Sequence, residues 1–216
     1  MAEKDRDKKT PSYNSKERFN SYWHQIDEIE KLEPENVLEI GVGRGFVAEY
    51  LKKYGFDVTT VDLKEWTNPD VIANILKLPF AEESFDVVGA FQILEHLPFE
   101  KFEEVISELY YVCRDHVVIS VADVRFYFKI DIEFIKFVDS EKLLTLPLNK
   151  FLFASKLNKI LGSLEDPKTK SHYWEIGRKD YPMWRIKEKI KSVGFCIEKK
   201  YRIFENPYHT MFVLSK

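Results

Sequence analysis

The apolar positions change period along the chain, and the changes divide it into elements. Residues 1 to about 14 are polar and are expected to fray. From about Ser15 to Leu32, Phe19, Tyr22, Trp23, Ile26 and Ile29 recur at spacings of three and four. This predicts an amphipathic helix, closed by Pro34. Asn36 to Ile40 reads as a short buried strand, followed by glycines at 41, 43 and 45. The run FVAEYLKKYG predicts a helix ending at Gly55, a C-cap signal. FDVTTVDL is a second strand, VIANI after Pro69 a third that is short or merely extended, and FDVVGAF a fourth. EKFEEVISELYYV predicts a helix with Phe102, Val105, Ile106 and Leu109 on its apolar face, and HVVISVA a fifth strand. Strands alternating with helices predict an α/β fold with parallel pairing and right-handed crossovers.

The rhythm breaks from Asp123 to about Ser171, a stretch rich in Phe, Leu, Ile and Lys. It is read as short helices inserted into the sheet topology. Regular patterning resumes with WRIKEKIKSVG, a helix ending at Gly194. FCIEKKYRIFE and HTMFVLS then alternate as strands, with Pro207 between them. A connection this short makes the pair antiparallel. The chain therefore divides into a tail and capping helix (1–34) and one domain (35–216) carrying the insert 123–171.

Composition narrows the picture. The 216 residues are 44% hydrophobic and 15% aromatic, which suits one packed domain. A net charge of −3 and a pI near 6.0 give no overall field for nucleic acid or anionic membrane. No stretch approaches the apolar length of a membrane span, and MAEKDRDKKTPS has no apolar signal-peptide core. A cytoplasmic protein is the expectation. Cys113 and Cys196 form no CxxC or Cys/His cluster, so no metal site is expected. Both are read as small buried hydrophobes.

VLEIGVGRGF carries the candidate chemistry. A strand ends, the chain turns on glycines, and a helix starts. Gly41, Gly43 and Gly45 permit backbone angles closed to other residues and close approach of a ligand. A dinucleotide fingerprint, GxGxxG, would need glycine at 46, which is Phe46. The pattern is instead ExGxGxG, and a carboxylate at Glu39 suits a cationic nucleoside better than a diphosphate. Asp62, ending the second strand beside Leu63, is placed to accept hydrogen bonds from a ribose diol. The plainer alternatives are an unliganded glycine turn and a turn aspartate.

From Val37 to Val121 these residues resemble class I S-adenosylmethionine-dependent methyltransferases, in particular the type 11 methyltransferase-domain group. VLEIGVGRGFVAEYL resembles the first motif of that group, and IANILKLPFAEESFDVVGAFQILEHLPFE the run from its adenine loop to the LEHL segment. The resemblance implies a three-layer αβα sandwich of Rossmann-like type. Its seven-stranded sheet would have order 3-2-1-4-5-7-6, with strand seven antiparallel. It implies S-adenosyl-L-methionine as cofactor, Asn74 in the place of the adenine-binding carboxylate, and Ile75 packed on the adenine. Gln92 would face the methyl group, and Tyr22 of the capping helix would reach the methionine carboxylate or simply pack in a helix interface.

Methyl transfer from a sulfonium is an in-line displacement, needing a base only when the acceptor has a proton to lose. His96 and His172 are the candidate bases. The alternative for His96 is a loop-organising role, and for the His172 segment, HYWEIG, an aromatic clasp. Position 92 lacks the Asn/Asp-Pro-Pro-aromatic run of nucleic-acid amino methylases. This argues against DNA adenine or cytosine methylation, and the near-neutral charge weakens an RNA acceptor; a small molecule is the expected acceptor, with an RNA or protein methyltransferase as an alternative. Phe126, Phe128, Phe134, Phe137, Phe151 and Phe153 of the insert serve equally as an apolar acceptor wall, the core of a helical cap or a homodimer contact. An NAD-dependent oxidoreductase and a non-catalytic nucleoside-binding module are the competing readings.

Overall fold

A computed structural model of the chain describes residues 15–130, 142–144 and 172–216. The amphipathic stretch forms α1 (Lys16–Glu30), with the Ser15 hydroxyl accepting from the Arg18 N–H at its start. Then follow β1 (Asn36–Ile40), α2 (Phe46–Lys53), β2 (Asp57–Asp62), β3 (Val71–Ile72), β4 (Phe85–Phe91), α3 (Phe102–Val112) and β5 (Cys113–Ala122). The chain closes with α4 (Met183–Val193), β6 (Cys196–Arg202) and β7 (His209–Ser215). Short 3₁₀ turns cover Glu65–Thr67, Leu94–His96 and Phe99–Lys101.

The sheet order is β3-β2-β1-β4-β5-β7-β6, with β7 antiparallel to both neighbours and the β1–β5 pairings parallel. The three-layer αβα class and the expected order both hold. Strand β4 is buried along its whole length, as a central strand covered on two faces must be. One apolar layer gathers Val105, Ile106 and Leu109 of α3 with Ile186 and Ile190 of α4. The other gathers Ile26 and Ile29 of α1 with Val47 and Leu51 of α2. The helices thus lie on opposite faces, as right-handed crossovers require.

Two expectations are corrected. Cys113 is buried, but Cys196 is exposed. It opens the edge strand β6, where apolar neighbours in sequence say nothing of which face meets solvent. The insert was read as short helices, yet Phe128–Ile130 pairs antiparallel with Lys142–Leu144 as a two-stranded ribbon. Phe134, Phe137, Phe151 and Phe153, and the side chain of Phe128, lie outside the described residues.

Candidate active site

The carboxyl edge of the sheet gathers the candidate residues. Ile40 pairs in register with Val61 of β2 and Ala90 of β4. Gly41, Asp62 and Gln92 therefore leave the sheet side by side, where ligands bind in open α/β sheets. Gly41, Gly43 and Gly45 have φ of +83°, +57° and +76°, the left-handed region that side chains avoid. The Gly41 N–H donates to Val61 O (2.8 Å), and Gly45 is the N-cap of α2. A β-carbon on Gly41 would lie 2.8 Å from Ile93 Cδ1, on the loop after β4. On Gly43 its nearest neighbour would be the Gly41 carbonyl at 4.0 Å. At Gly41 the end of the Ile93 side chain would have to turn aside and the left-handed φ is the main constraint, whereas Gly43 leaves an open side.

Glu39 ends up 4% exposed. The Ala48 N–H donates to its carboxyl, while Oε2 has no partner among the described residues. Burial raises its pKa to about 8, with Lys52 lowering and Asp62 raising it slightly. Near neutral pH it is largely protonated, so the charge argument made from sequence rests more on Asp62. The folded value lies above the ordinary 4.5, so the folded chain holds this proton more tightly. The resulting stabilisation is fully present below about pH 4.5 and is lost as pH rises to about 8. At ~1.4 kcal/mol per pKa unit the effect is on the order of 5 kcal/mol. Urea titrations at pH 5 and pH 8 are expected to show stability falling less in Glu39→Gln than in the parent.

Asp62 is half-buried, and Leu63 beside it is exposed. Asp62 Oδ1 accepts from the Lys64 N–H (2.9 Å), and the Asp62 carbonyl accepts from the Ala73 N–H (3.1 Å). The stretch that begins at Ala73 is thereby held alongside. Asn74 is exposed, and its Oδ1 already accepts from the Leu76 N–H (3.0 Å), which leaves one lone pair and the NH₂ for a ligand. Ile75 is buried in the larger apolar cluster. Tyr22 stacks on Phe46 at 4.9 Å, and Phe19 meets both edge-on. The residue that breaks the dinucleotide fingerprint is thus the one against which α1 docks.

A second polar group adjoins the turn. The Gln92 backbone has φ +54°. With its amide oriented to suit its neighbours, it donates to His209 Nε2 (3.1 Å) and Glu95 Oε1 (3.0 Å) and accepts from the Val121 N–H (3.2 Å). The amide is committed to this network rather than free to meet a methyl donor. Glu95 is fully buried. Its Oε1 accepts from the Ala122 N–H (3.2 Å), and Oε2 has no partner among the described residues. Burial raises its pKa to about 7, and Glu175 adds to the rise. Burial lowers that of His209 to about 3, helped by Arg18 and His172, so this imidazole is neutral. His209 Nδ1 lies 2.9 Å from the Ser21 hydroxyl of α1, which brings the capping helix over this end of the sheet.

His96 and His172 come together, ring centroids 4.8 Å apart and edge to face. The Tyr173 N–H donates to the Glu95 carbonyl (2.8 Å), and Trp174 Nε1 donates to the Leu97 carbonyl (3.1 Å). The segment after the insert is thereby bolted to the loop after β4. Within HYWEIG, Trp174 is 2% exposed and serves as an anchor, while Tyr173 is 64% exposed. Sequence reasoning missed Glu95, Tyr208 and His209 as members of this group. In sequence Glu95 shows only as part of LEHL, and Tyr208 and His209 only as polar residues at the turn before β7. Among the described residues no cluster of histidine, cysteine and carboxylate groups suits a metal ion, and no helix is long and apolar enough to cross a membrane. A shallow hollow lined by Leu32, Pro34, Asp86, Arg114 and His116 lies at the amino ends of the strands, away from this edge.

Residues 38–121 match the family described as a methyltransferase domain. The chain has the class I methyltransferase fold. It superposes on the magnesium protoporphyrin IX methyltransferase of Synechocystis, solved with bound S-adenosylhomocysteine, at TM-score 0.59 and 16% identity. That match covers 92% of this chain and 84% of the other. The 1,6-didemethyltoxoflavin-N1-methyltransferase of Burkholderia thailandensis gives 0.58 and 16%, over 90% and 77%. An S-adenosylmethionine-dependent methyltransferase of Aquifex aeolicus gives 0.59 and 13%, over 97% of each chain. At these identities the likeness is one of fold. No curated protein sequence matches the chain significantly. The methyltransferase fold and the 38–121 match share one stretch, from β1 to β5, and every glycine of the turn lies within it.

Proposed function

We propose that the chain is an S-adenosylmethionine-dependent methyltransferase acting on a small-molecule acceptor. The observation that carries this reading is the glycine turn. It has an open side at Gly43, the buried Glu39 with its unpartnered Oε2, and Asp62 at the neighbouring strand end. An orphaned buried carboxyl oxygen costs free energy unless a hydrogen-bond partner reaches it, and the cofactor carries such partners in its ammonium and ribose hydroxyl groups. In this reading Gly41, Gly43 and Gly45 admit the cofactor, Asp62 holds the ribose diol, and Asn74 meets the adenine amine with its remaining polar atoms. When bound, the cofactor supplies an electrophilic methyl group on a positively charged sulfur. The chain's own part is to position the acceptor and exclude water. A small-molecule acceptor fits the chain's near-neutral charge balance and the acceptors named for two of its structural neighbours.

Calorimetric titration with S-adenosylhomocysteine is expected to give binding heat, and NADH none. Asp62→Ala removes the diol acceptor and is expected to weaken S-adenosylhomocysteine about tenfold to a hundredfold, the worth of one or two hydrogen bonds to a charged group. Heat with NADH and none with S-adenosylhomocysteine would replace this reading by the oxidoreductase one.

A further inference from the structure

We infer that His172 is the general base of the reaction and that the acceptor is a weakly acidic hydroxyl of phenol or enol type. The inference rests on the methyltransferase reading above and adds to it the acceptor's chemistry. Its basis is the way Glu175 is held. Glu175 is 4% exposed. Its Oε2 receives Arg178 through Nε (2.9 Å) and the guanidinium terminus (2.8 Å). Its Oε1 accepts from the Tyr208 hydroxyl and lies 3.1 Å from His172 Nδ1. Burial alone would raise the pKa of Glu175, but the bonds from Tyr208, His172 and Arg178 hold it below the ordinary carboxylate value. A carboxylate kept ionised is an acceptor only, so Nδ1 must carry the proton. The Nε2 lone pair is then left over, and among the described residues Nε2 has no hydrogen bond. A base oriented by a buried carboxylate through its other nitrogen is the arrangement by which an imidazole takes a proton from a nucleophile.

The imidazole is tied to the loop that borders the glycine turn. The loop that touches the glycine turn through Ile93 continues into Glu95 and His96, and His172 is fastened to that loop. The charged and titratable groups around it are Glu175 and Arg178 from its own segment, Glu95 and His96 from the loop after β4, and Tyr208 and His209 from the start of β7. In the step, the acceptor oxygen forms a bond to the methyl carbon of the sulfonium donor. The methyl–sulfur bond breaks with its electron pair returning to sulfur, and the hydroxyl proton passes to His172 Nε2. An imidazole base has nothing to remove from a carboxylate, which is already ionised. It is matched to a hydroxyl nearer the acidity of tyrosine, with pKa about 10. The exposed rings of Tyr173 and Tyr208 beside the imidazole suit a flat acceptor.

The test uses the full chain, S-adenosylhomocysteine as binding probe, and 4-methylphenol and 4-nitrophenol as acceptors at pH 8.5, with radiolabelled S-adenosylmethionine. Methyl ethers are expected from both phenols. His172→Ala is expected to slow 4-methylphenol ~100-fold or more, the range of general-base catalysis, and 4-nitrophenol far less, because it is already ionised. Two-bond ¹H–¹⁵N spectra are expected to show His172 protonated at Nδ1 in the parent chain, and to lose that preference in Glu175→Gln. Equal slowing of both phenols, no ether from either phenol, methylation of amines or thiols only, or an Nε2-protonated His172 would each overturn the inference while S-adenosylhomocysteine still binds. Failure of S-adenosylhomocysteine to bind would instead overturn the methyltransferase reading beneath it.

Discussion

Gly43→Ala is expected to leave a folded chain whose affinity for S-adenosylhomocysteine falls at least a hundredfold, whereas Gly41→Ala is expected to lose somewhat more stability, because the Ile93 side chain must also turn aside. The two residues are neighbours in one turn, yet their surroundings differ. At Gly43 the added methyl meets no atom closer than 4.0 Å. Its cost to folding is the left-handed φ of +57°, ~1–2 kcal/mol. The same methyl projects into the open side of the turn, and a nucleoside seated there would have to move or lose contacts with the backbone. At Gly41 the methyl collides with Ile93 Cδ1 at 2.8 Å and also bears φ +83°. Cδ1 is the far end of the Ile93 side chain, so the added cost at Gly41 is that one side chain turning aside. Urea midpoints and calorimetric titration on the two variants separate the effects. If Gly43→Ala bound S-adenosylhomocysteine like the parent, the turn would not be the cofactor cradle.

How much of this was legible in the sequence follows from what each interaction depends on. The glycine turn, Asp62 and the order of elements are local. Each is set by a few consecutive residues, so period and motif disclose them. The last two strands were readable for the same reason, since a short turn dictates their antiparallel pairing. The Glu39 environment was half legible. Its place before the glycines was visible, but its burial and raised pKa depend on α2 closing over it. The group formed by Gln92, Glu95, His172, Glu175 and His209 joins distant stretches of chain. Nothing near Glu95 in sequence shows that His209 lies nearby, because the register of β5 with β7 sets Ala122, which donates to Glu95, opposite His209, and Gln92 bridges the two. Trp174 and Tyr173 show the limit of composition. Both are aromatic neighbours in HYWEIG, and only packing decides that one anchors and the other stays exposed. Cys196 illustrates the same limit on an edge strand.

Trp174→Ala is expected to cost ~3–5 kcal/mol of stability, the usual loss for deleting a buried large aromatic side chain. Against a total of ~5–15 kcal/mol for a domain, this is a fifth or more. Trp174 sits edge-on to Phe99 (5.1 Å) and Phe102 (5.3 Å), within the cluster that joins α3 and α4. Its Nε1 donates to the Leu97 carbonyl. Trp174→Phe keeps most of the apolar volume but strips that carbonyl of its partner, at ~1–3 kcal/mol. The two variants thus divide packing from hydrogen bonding in one denaturation series. They also divide the halves of the site. The glycine turn and Asp62 do not touch Trp174, so any folded fraction of Trp174→Phe is expected to bind S-adenosylhomocysteine normally. His172 lies two residues away on the segment that Trp174 pins, so methyl transfer is expected to fall even where binding holds. A chain that lost binding and transfer together would show that the two halves unfold as one unit, and that the loop after β4 depends on this anchor along its whole length.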